Sequence, residues 1–133
     1  MIIDAEKLVV GRLASFVAKQ ALMGETVEIV NAEKAVIIGS KTDILAKYKQ
    51  RRARGSPHFG PFFPHAPERI LKRSIRGMLP YKITRGRDAL ERVKCYKGVP
   101  ARFKDKELIS PEHVRISQEK MKFISLQRLS ELL

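Results

Sequence analysis

The sequence has a single cysteine, no recognisable signal peptide and no long apolar run. Cys95 is the only thiol among 133 residues, which excludes an internal disulfide, a zinc ribbon and a paired-cysteine redox centre. The first ten residues contain Asp4 and Glu6, where a secretory signal would have positive charge and then an apolar stretch. No segment approaches the roughly 20 apolar residues of a membrane-spanning helix. We therefore expect a soluble protein of a reducing, intracellular compartment that has no membrane partner.

Motifs for metal binding, nucleotide binding and catalysis are also missing. The three histidines, His58, His65 and His113, are not part of an HExxH motif and have no cysteine pair or carboxylate cluster. Gly11 precedes a predicted helix, but neither GxGxxG nor GxxxxGKS/T surrounds it. No combination of Ser, Cys, His and carboxylates has the spacing of a catalytic triad or dyad. We therefore expect no metal, no cofactor, no catalytic residue and no small-molecule substrate.

Acidic residues are scarce, and the scarcity is local. The chain has 27 Lys and Arg against 14 Asp and Glu, which gives a net charge of +13. Residues 47–106 hold 18 of the basic and 4 of the acidic residues, whereas the rest of the chain holds 9 and 10. The length is that of one domain. We interpret residues 1–133 as a single domain in which 1–46 and 107–133 form a near-neutral scaffold and 47–106 form a surface for a polyanion.

Hydrophobic periodicity in the near-neutral parts predicts a small α/β sheet. Short β-branched and apolar runs predict strands, and an apolar repeat at helical spacing predicts a helix that ends before Gly24. The predicted strands are 2–3, 26–30, 35–38 and 114–116, and the predicted helices are about 13–23 and the segment after Ser125, with a stripe of Leu126, Leu129, Leu132 and Leu133. This order of strands and helices places the chain in the α/β class.

The first half of the basic segment is predicted to contain a helix and a long loop. Ser40 or Thr42 can cap the helix, which becomes basic toward its end. Residues 53–66 contain three prolines and two glycines and therefore predict an irregular loop. Its three phenylalanines, Phe59, Phe62 and Phe63, either pack on the protein or contact a partner.

The second half is predicted to form two amphipathic helices. The first starts at Pro67, and its basic and apolar faces lie nearly opposite each other on a helical projection. The basic face is Arg69, Lys72, Arg73 and Arg76, and the apolar face is Leu71, Ile75 and Met78. Gly77 and Pro80 end this helix, and Thr84 can cap a second helix that runs to about Lys94. Ala89, Leu90 and Val93 are expected to face the core.

The concentration of Lys and Arg predicts a nucleic-acid surface, because basic side chains neutralise phosphates and arginine also stacks on bases. A solvated helix face is the ordinary alternative, but few acids balance this charge. An anionic membrane would require a free apolar face. RNA is favoured because the Pro/Gly loop suits folded RNA and no duplex-DNA motif is evident. The candidate RNA-binding residues are Lys47, Lys49, Arg51, Arg52, Arg54, His58, Phe59, Arg69, Lys72, Arg73, Arg76, Lys82, Arg85, Arg87, Arg92, Lys94 and Lys97.

Several segments resemble the universal ribosomal protein L13 family of the large subunit. RGMLPYKITRGRDALERVKCYKGVP, residues 76–100, resembles its signature region, and residues 4–39 resemble its N-terminal half, including GRLAS at 11–15. HFGPFFPHAPERI, residues 58–70, is similar to the archaeal and eukaryotic branch, and we expect an archaeal source. Residues 125–129, SLQRL, depart from the TLGEL-type stretch that is frequent in the family.

The resemblance implies a three-layer α/β/α domain around a small, about four-stranded, mostly parallel sheet with a basic loop-and-helix extension. It also implies a structural constituent of the large subunit of the cytoplasmic ribosome, not an enzyme. Such a protein binds and stabilises folded large-subunit ribosomal RNA early in assembly and contacts neighbouring ribosomal proteins. An RNA-directed enzyme or modification factor, or a regulatory RNA-binding protein acting off the ribosome, could use the same surface, and both remain open as alternatives.

Overall fold

Short strands and five connecting helices make up the part of the chain that the computed structural model describes, residues 1–116 and 121–133. The strands are β1 (Ile2–Asp4), β2 (Val27–Val30), β3 (Val36–Ile38), β4 (Val93–Cys95) and β5 (Phe123–Ser125). The helices are α1 (Val10–Leu22), α2 (Lys41–Ala53), α3 (Pro67–Gly77), α4 (Thr84–Glu91) and α5 (Leu126–Leu132). Short 3-10 helices span Ala32–Lys34, Ala101–Phe103 and Glu112–Val114.

The predicted α/β domain with a small, mostly parallel sheet is confirmed. Strands β1, β2 and β4 pair in parallel in that order, with Ile3 opposite Ile29 and Ile29 opposite Cys95. Strands β3 and β5 form a separate antiparallel pair, in which Ile37 lies opposite Ile124. The strands therefore divide into a parallel set of three and an antiparallel pair among the described residues, where the sequence predicted about four in one sheet.

Helix α1 shows why the near-neutral part folds as predicted. Its buried residues recur at helical spacing, so one continuous apolar face packs against α3 and α4. These residues are Val10, Leu13, Ala14, Val17, Ala18 and Ala21. The chain leaves the helix through Gly24, whose φ of +95° lies in the region that favours glycine. Strand β2 adds Val27, Ile29 and Val30, all fully buried.

The predicted helix from Thr84 to about Lys94 is wrong at both ends. Ile83 is the N-cap and Thr84 is already helical, so Thr84 does not cap the helix. The helix ends at Glu91, and Val93 enters β4 opposite Val27. Val93 is buried, as expected, but it reaches the core from a strand. Pairing with β2 makes this segment a strand, and the Val27 N–H donates to the Arg92 carbonyl at 2.9 Å where the pairing begins.

The structure differs from the sequence predictions at three further places. Met78 follows the end of α3 and is 45% exposed, so the inner face of that helix consists of Ile70, Leu71 and Ile75. Residues 114–116 contribute an isolated bridge from Arg115 to Leu8 after a 3-10 turn, where a strand was predicted. Strand β5 was not predicted.

The final helix is confirmed, with the Ser125 side chain accepting a hydrogen bond from the Arg128 N–H at 3.2 Å.

Candidate nucleic-acid interface

Helix α3 places a row of basic side chains above a buried apolar face. Pro67 occupies the first turn, where its missing N–H costs nothing, and Glu68 lies near the positive end of the helix dipole. Ile70, Leu71 and Ile75 are at most 1% exposed. The opposite face carries Arg69, which is exposed, and Lys72, Arg73 and Arg76, which are half-buried. The predicted division of this helix into a core face and a basic face is confirmed, except that Met78, assigned to the core face, lies beyond the helix and is exposed.

The loop between α2 and α3 contains a tight hydrogen-bonded turn. The N–H of Ser56 donates to the Gly60 carbonyl at 3.1 Å, and the N–H of Gly60 donates back to the Ser56 carbonyl at 2.9 Å. Gly55 has a φ of +90°, and a Cβ at this position would clash with the Gly60 carbonyl. Phe59 lies in this turn and is 90% exposed. The turn therefore presents an aromatic ring to solvent on a hydrogen-bonded backbone.

Phe63 connects this loop to both flanking helices. Its ring packs edge-on against the ring of Tyr48 on α2, with the centroids 5.7 Å apart. The Cζ atoms of Arg51 and Arg73 each lie 5.8 Å from the Phe63 ring centroid. Phe63 thus packs on the protein, whereas Phe59 and Phe62, which is 66% exposed, face solvent. The sequence left open whether these rings pack on the protein or contact a partner. Phe63 packs on the protein, and Phe59 and Phe62 are free to contact a partner.

A shallow groove of about 510 Å³ runs between the loop and the basic face of α3. We call it the arginine groove, and it is lined by Phe62, Phe63, Pro64, Arg69, Lys72, Arg73, Arg76 and Leu90. A second depression of about 300 Å³ shares Phe62, Phe63 and Arg73 with it and adds Arg51 and Arg54 from the end of α2. Basic side chains from α2 and α3 therefore converge around the rings of Phe62 and Phe63.

Charges within the arginine groove repel one another. Partial burial and the neighbouring charge of Arg76 both lower the pKa of Arg73. Arg76 also lies over the Tyr81 ring, with its Cζ 4.3 Å from the ring centroid. A hydrogen bond from Arg76 and its positive charge lower the pKa of the Tyr81 hydroxyl. An anion bound in the groove would relieve this repulsion.

The basic segment has no carboxylate counterions among the described residues. Within 1–116 and 121–133, the salt bridge found is Arg128 with Glu131 at 3.4 Å, one helical turn apart on α5. No lysine or arginine from Lys47 to Lys106 pairs with a described carboxylate. Except for Arg92, whose guanidinium donates to the Ala21 carbonyl, these side chains are therefore available to an external polyanion.

The remaining candidate residues are exposed to solvent, with one exception. Lys47, Lys49, Arg52, Arg54 and His58 are exposed on α2 and the loop; Lys82, Arg85 and Arg87 are exposed on the turn before α4 and on α4; and Lys94 and Lys97 are exposed on and after β4. Arg92 differs, because its guanidinium donates to the Ala21 carbonyl at 3.0 Å and so satisfies the end of α1. The structure gives Arg92 a role in the fold.

Around the arginine groove, the sequence interpretation missed two tyrosines whose rings contact arginines. Tyr48 is 7% exposed, burial raises the pKa of its hydroxyl, and the Arg51 Cζ lies 5.2 Å from its ring centroid. The spacing of three residues on a helix was a usable signal for this pair. Tyr81 with Arg76 had no such signal, because the chain turns between them.

Reactive and metal-binding groups are not gathered at this surface. Cys95 is partly buried against the core, and burial raises the pKa of its thiol to about 12, so the thiol stays protonated at neutral pH. No group of three His, Cys, Asp or Glu side chains in the described ranges could hold a metal ion. No described helix is long and apolar enough to cross a membrane.

A sequence model of the family described as Ribosomal protein L13 matches residues 1–102. The chain belongs to the ribosomal protein L13 family. Its relatives include proteins named large ribosomal subunit protein uL13. The one from Methanosarcina barkeri is 54% identical over 132 residues, which cover 98% of this chain and 91% of the relative. Those from Thermoplasma volcanium and Archaeoglobus fulgidus are 47% and 43% identical, covering 98% and 99% of this chain and 95% and 86% of the relatives.

These matches confirm the family resemblance and its archaeal type. The L13 match includes every residue that lines the arginine groove, since that groove spans positions 62–90. It stops before β5 and α5, where the sequence departs from the TLGEL-type stretch. In this chain Leu126 and Leu129, which match the two leucines of that pattern, are fully buried, whereas Gln127 and Arg128, which depart from it, are exposed.

Proposed function

We propose that this chain is a structural constituent of the large ribosomal subunit that binds and stabilises folded large-subunit ribosomal RNA. The names of its relatives support the ribosomal role. The observation that carries the RNA-binding role is the arginine groove, where cations from α2 and α3 converge without described carboxylate partners. The protein then acts on the cytoplasmic ribosome, and neighbouring ribosomal proteins supply further contacts.

The groove suits an RNA backbone because it combines charge with aromatic surface. Arg69, Lys72, Arg73 and Arg76 lie along one helix face and can neutralise successive phosphates. Arginine binds phosphate through paired N–H groups, which fixes orientation as well as charge. The exposed rings of Phe59 and Phe62 can stack on unpaired bases. Binding and positioning of RNA require no catalytic group.

The division of the chain follows from the same proposal. Residues 1–46 and 107–133 act as the near-neutral scaffold, and 47–106 act as the RNA-facing part. The groove is organised by protein contacts, since Phe63 already joins Tyr48, Arg51 and Arg73. RNA therefore meets a surface that is largely formed before binding, which suits a protein that joins the subunit early in assembly.

The test is the retention of the protein on large subunits after washing in high salt. Arg73→Glu with Arg76→Glu places two negative charges in the groove and should abolish association while the fold is retained. Mass spectrometry of washed subunits should find about one copy of the wild-type chain per particle. Full association of the double variant would contradict the proposed surface. Progressive loss of the wild-type chain with each wash would instead indicate a transient enzyme or regulatory factor.

A further inference from the structure

The segment that follows β4 is held rigidly at the carboxyl end of the parallel strands. The Tyr96 N–H donates to the Ile29 carbonyl at 2.8 Å, and the Ala32 N–H donates to the Tyr96 carbonyl at 3.1 Å. Gly98 is fixed on both sides, because its carbonyl accepts from the Asn31 N–H and its own N–H donates to a Glu33 carboxylate oxygen, each at 3.0 Å. Tyr96 therefore sits on a backbone with little freedom.

Arg102 stacks on two aromatic rings at this position. Its Cζ lies 5.1 Å from the centroid of the Tyr96 ring and 4.7 Å from that of the Phe103 ring. The guanidinium also donates a hydrogen bond to the Tyr96 hydroxyl. Phe103 is only 3% exposed and anchors the stack in the core, whereas the Arg102 side chain is exposed. The guanidinium is therefore held in one place at the surface of the protein.

One lysine lies beside this stack, and two more are close to it in the sequence. The Lys106 Nζ lies 5.6 Å from the centroid of the Phe103 ring. Lys97 and Lys104 are also exposed. Among the described residues, none of the four cations Lys97, Arg102, Lys104 and Lys106 forms a salt bridge. We call Tyr96, Arg102, Phe103 and Lys106 the Arg102 platform. It shares no residue with the lining of the arginine groove.

We propose that the Arg102 platform is a second phosphate-binding surface for RNA, so that the chain holds RNA at two places. The proposal rests on the RNA-binding role proposed above. A guanidinium fixed by stacking loses less conformational freedom when it binds a phosphate, and its remaining N–H groups suit that anion. An RNA backbone supplies several phosphates in sequence, which suits a fixed arginine with flexible lysines beside it.

The experiment measures binding of the full chain to large-subunit ribosomal RNA over a range of salt concentrations. Arg102→Ala should weaken binding by about fivefold to tenfold and lower the slope of log K against log salt by about one. Lys104→Glu with Lys106→Glu should weaken it by about tenfold or more, and it leaves the ring stack of Arg102 in place. Arg128→Ala is the matched control, because that arginine is already paired with Glu131.

The outcomes separate this proposal from the function on which it rests. Weaker binding by both platform variants, with the Arg128 control unchanged, supports a second RNA surface. Unchanged RNA binding, with a lower unfolding temperature for Arg102→Ala, means that the stack only stabilises the turn and overturns the proposal. If the Arg73 and Arg76 reversal weakens binding and the platform variants do not, the proposed function stands alone. If neither set has an effect, both proposals fail.

Discussion

Gly86 in the first turn of α4 packs directly against the backbone carbonyl of Pro80, so that a Cβ on Gly86 would clash with that oxygen. The Pro80 carbonyl also accepts a hydrogen bond from the Ile83 N–H at 3.1 Å, which closes the turn between α3 and α4. This turn sets the direction of α4 relative to α3. The glycine is therefore required by close approach of two backbone segments.

Gly86→Ala should destabilise the protein by about 1 to 3 kcal/mol, because the added methyl has no space and the turn must shift. Thermal or denaturant unfolding measures the effect. Gly11→Ala is the matched control. Gly11 also lies in a helix, but unlike Gly86 it is exposed, and a Cβ added there has no packing neighbour within 4 Å. That variant should be neutral or stabilised by up to about 1 kcal/mol. Equal stability of the two variants would contradict the packing argument.

Phe59→Ala should weaken binding to ribosomal RNA by about 1 to 3 kcal/mol if its ring stacks on a base. The same change should leave the free energy of unfolding within about 0.5 kcal/mol of wild type, because the ring is 90% exposed. Phe123→Ala is the comparison for RNA binding, since Phe123 is 49% exposed but lies on β5, outside the basic segment. Loss of affinity in both variants, or in neither, would contradict a stacking role for Phe59.

Arg92→Ala should reduce the free energy of unfolding by about 0.5 to 1.5 kcal/mol, because the Ala21 carbonyl loses the guanidinium donor and keeps only the Gly24 N–H at 3.1 Å among the described donors. Lys94→Ala, on the exposed side of the adjacent strand, should have little effect on stability. Chemical denaturation of both variants gives the comparison. Wild-type stability of Arg92→Ala would mean that water replaces the guanidinium, and would return Arg92 to the set of free RNA-binding cations.

The Cys95 thiol should react slowly with disulfide reagents at pH 8 in the folded protein and rapidly in denaturant. Burial raises its pKa from 9.0 to about 12, so the thiolate is rare in the folded state. The unfolded chain loses this proton above pH 9, so the thiol's contribution to stability is present below that pH and declines as the pH rises toward 12.

The matched control moves the thiol by one residue. Lys94→Cys in a Cys95→Ala background places it on the exposed side of β4, and labelling of that variant at pH 8 should be rapid. In the Cys95→Ala background, the decline in stability above pH 9 that deprotonation of Cys95 causes should be absent. Fast labelling of native wild-type protein would show that the thiol is accessible.

Local patterns in the sequence were sufficient for the features that depend on neighbouring residues. The faces of α3 follow from a repeat at helical spacing, and the loop at 53–66 follows from proline and glycine. The position of Met78 was missed, because helical projection does not show where a helix ends. Strand β4 was missed for a different reason, since Val93 to Cys95 become a strand only by pairing with β2.

The sequence by itself determined the class of the fold, the family and the segment that carries the positive charge, because each depends on composition or on the order of residues. Only the tertiary structure decided which charges are available and which serve the fold. Phe63 joins two helices while Phe59 stays exposed, and Arg92 turns inward while Arg102 is held at the surface. These assignments depend on contacts between residues distant in the chain, such as Arg92 with Ala21, which local periodicity does not encode.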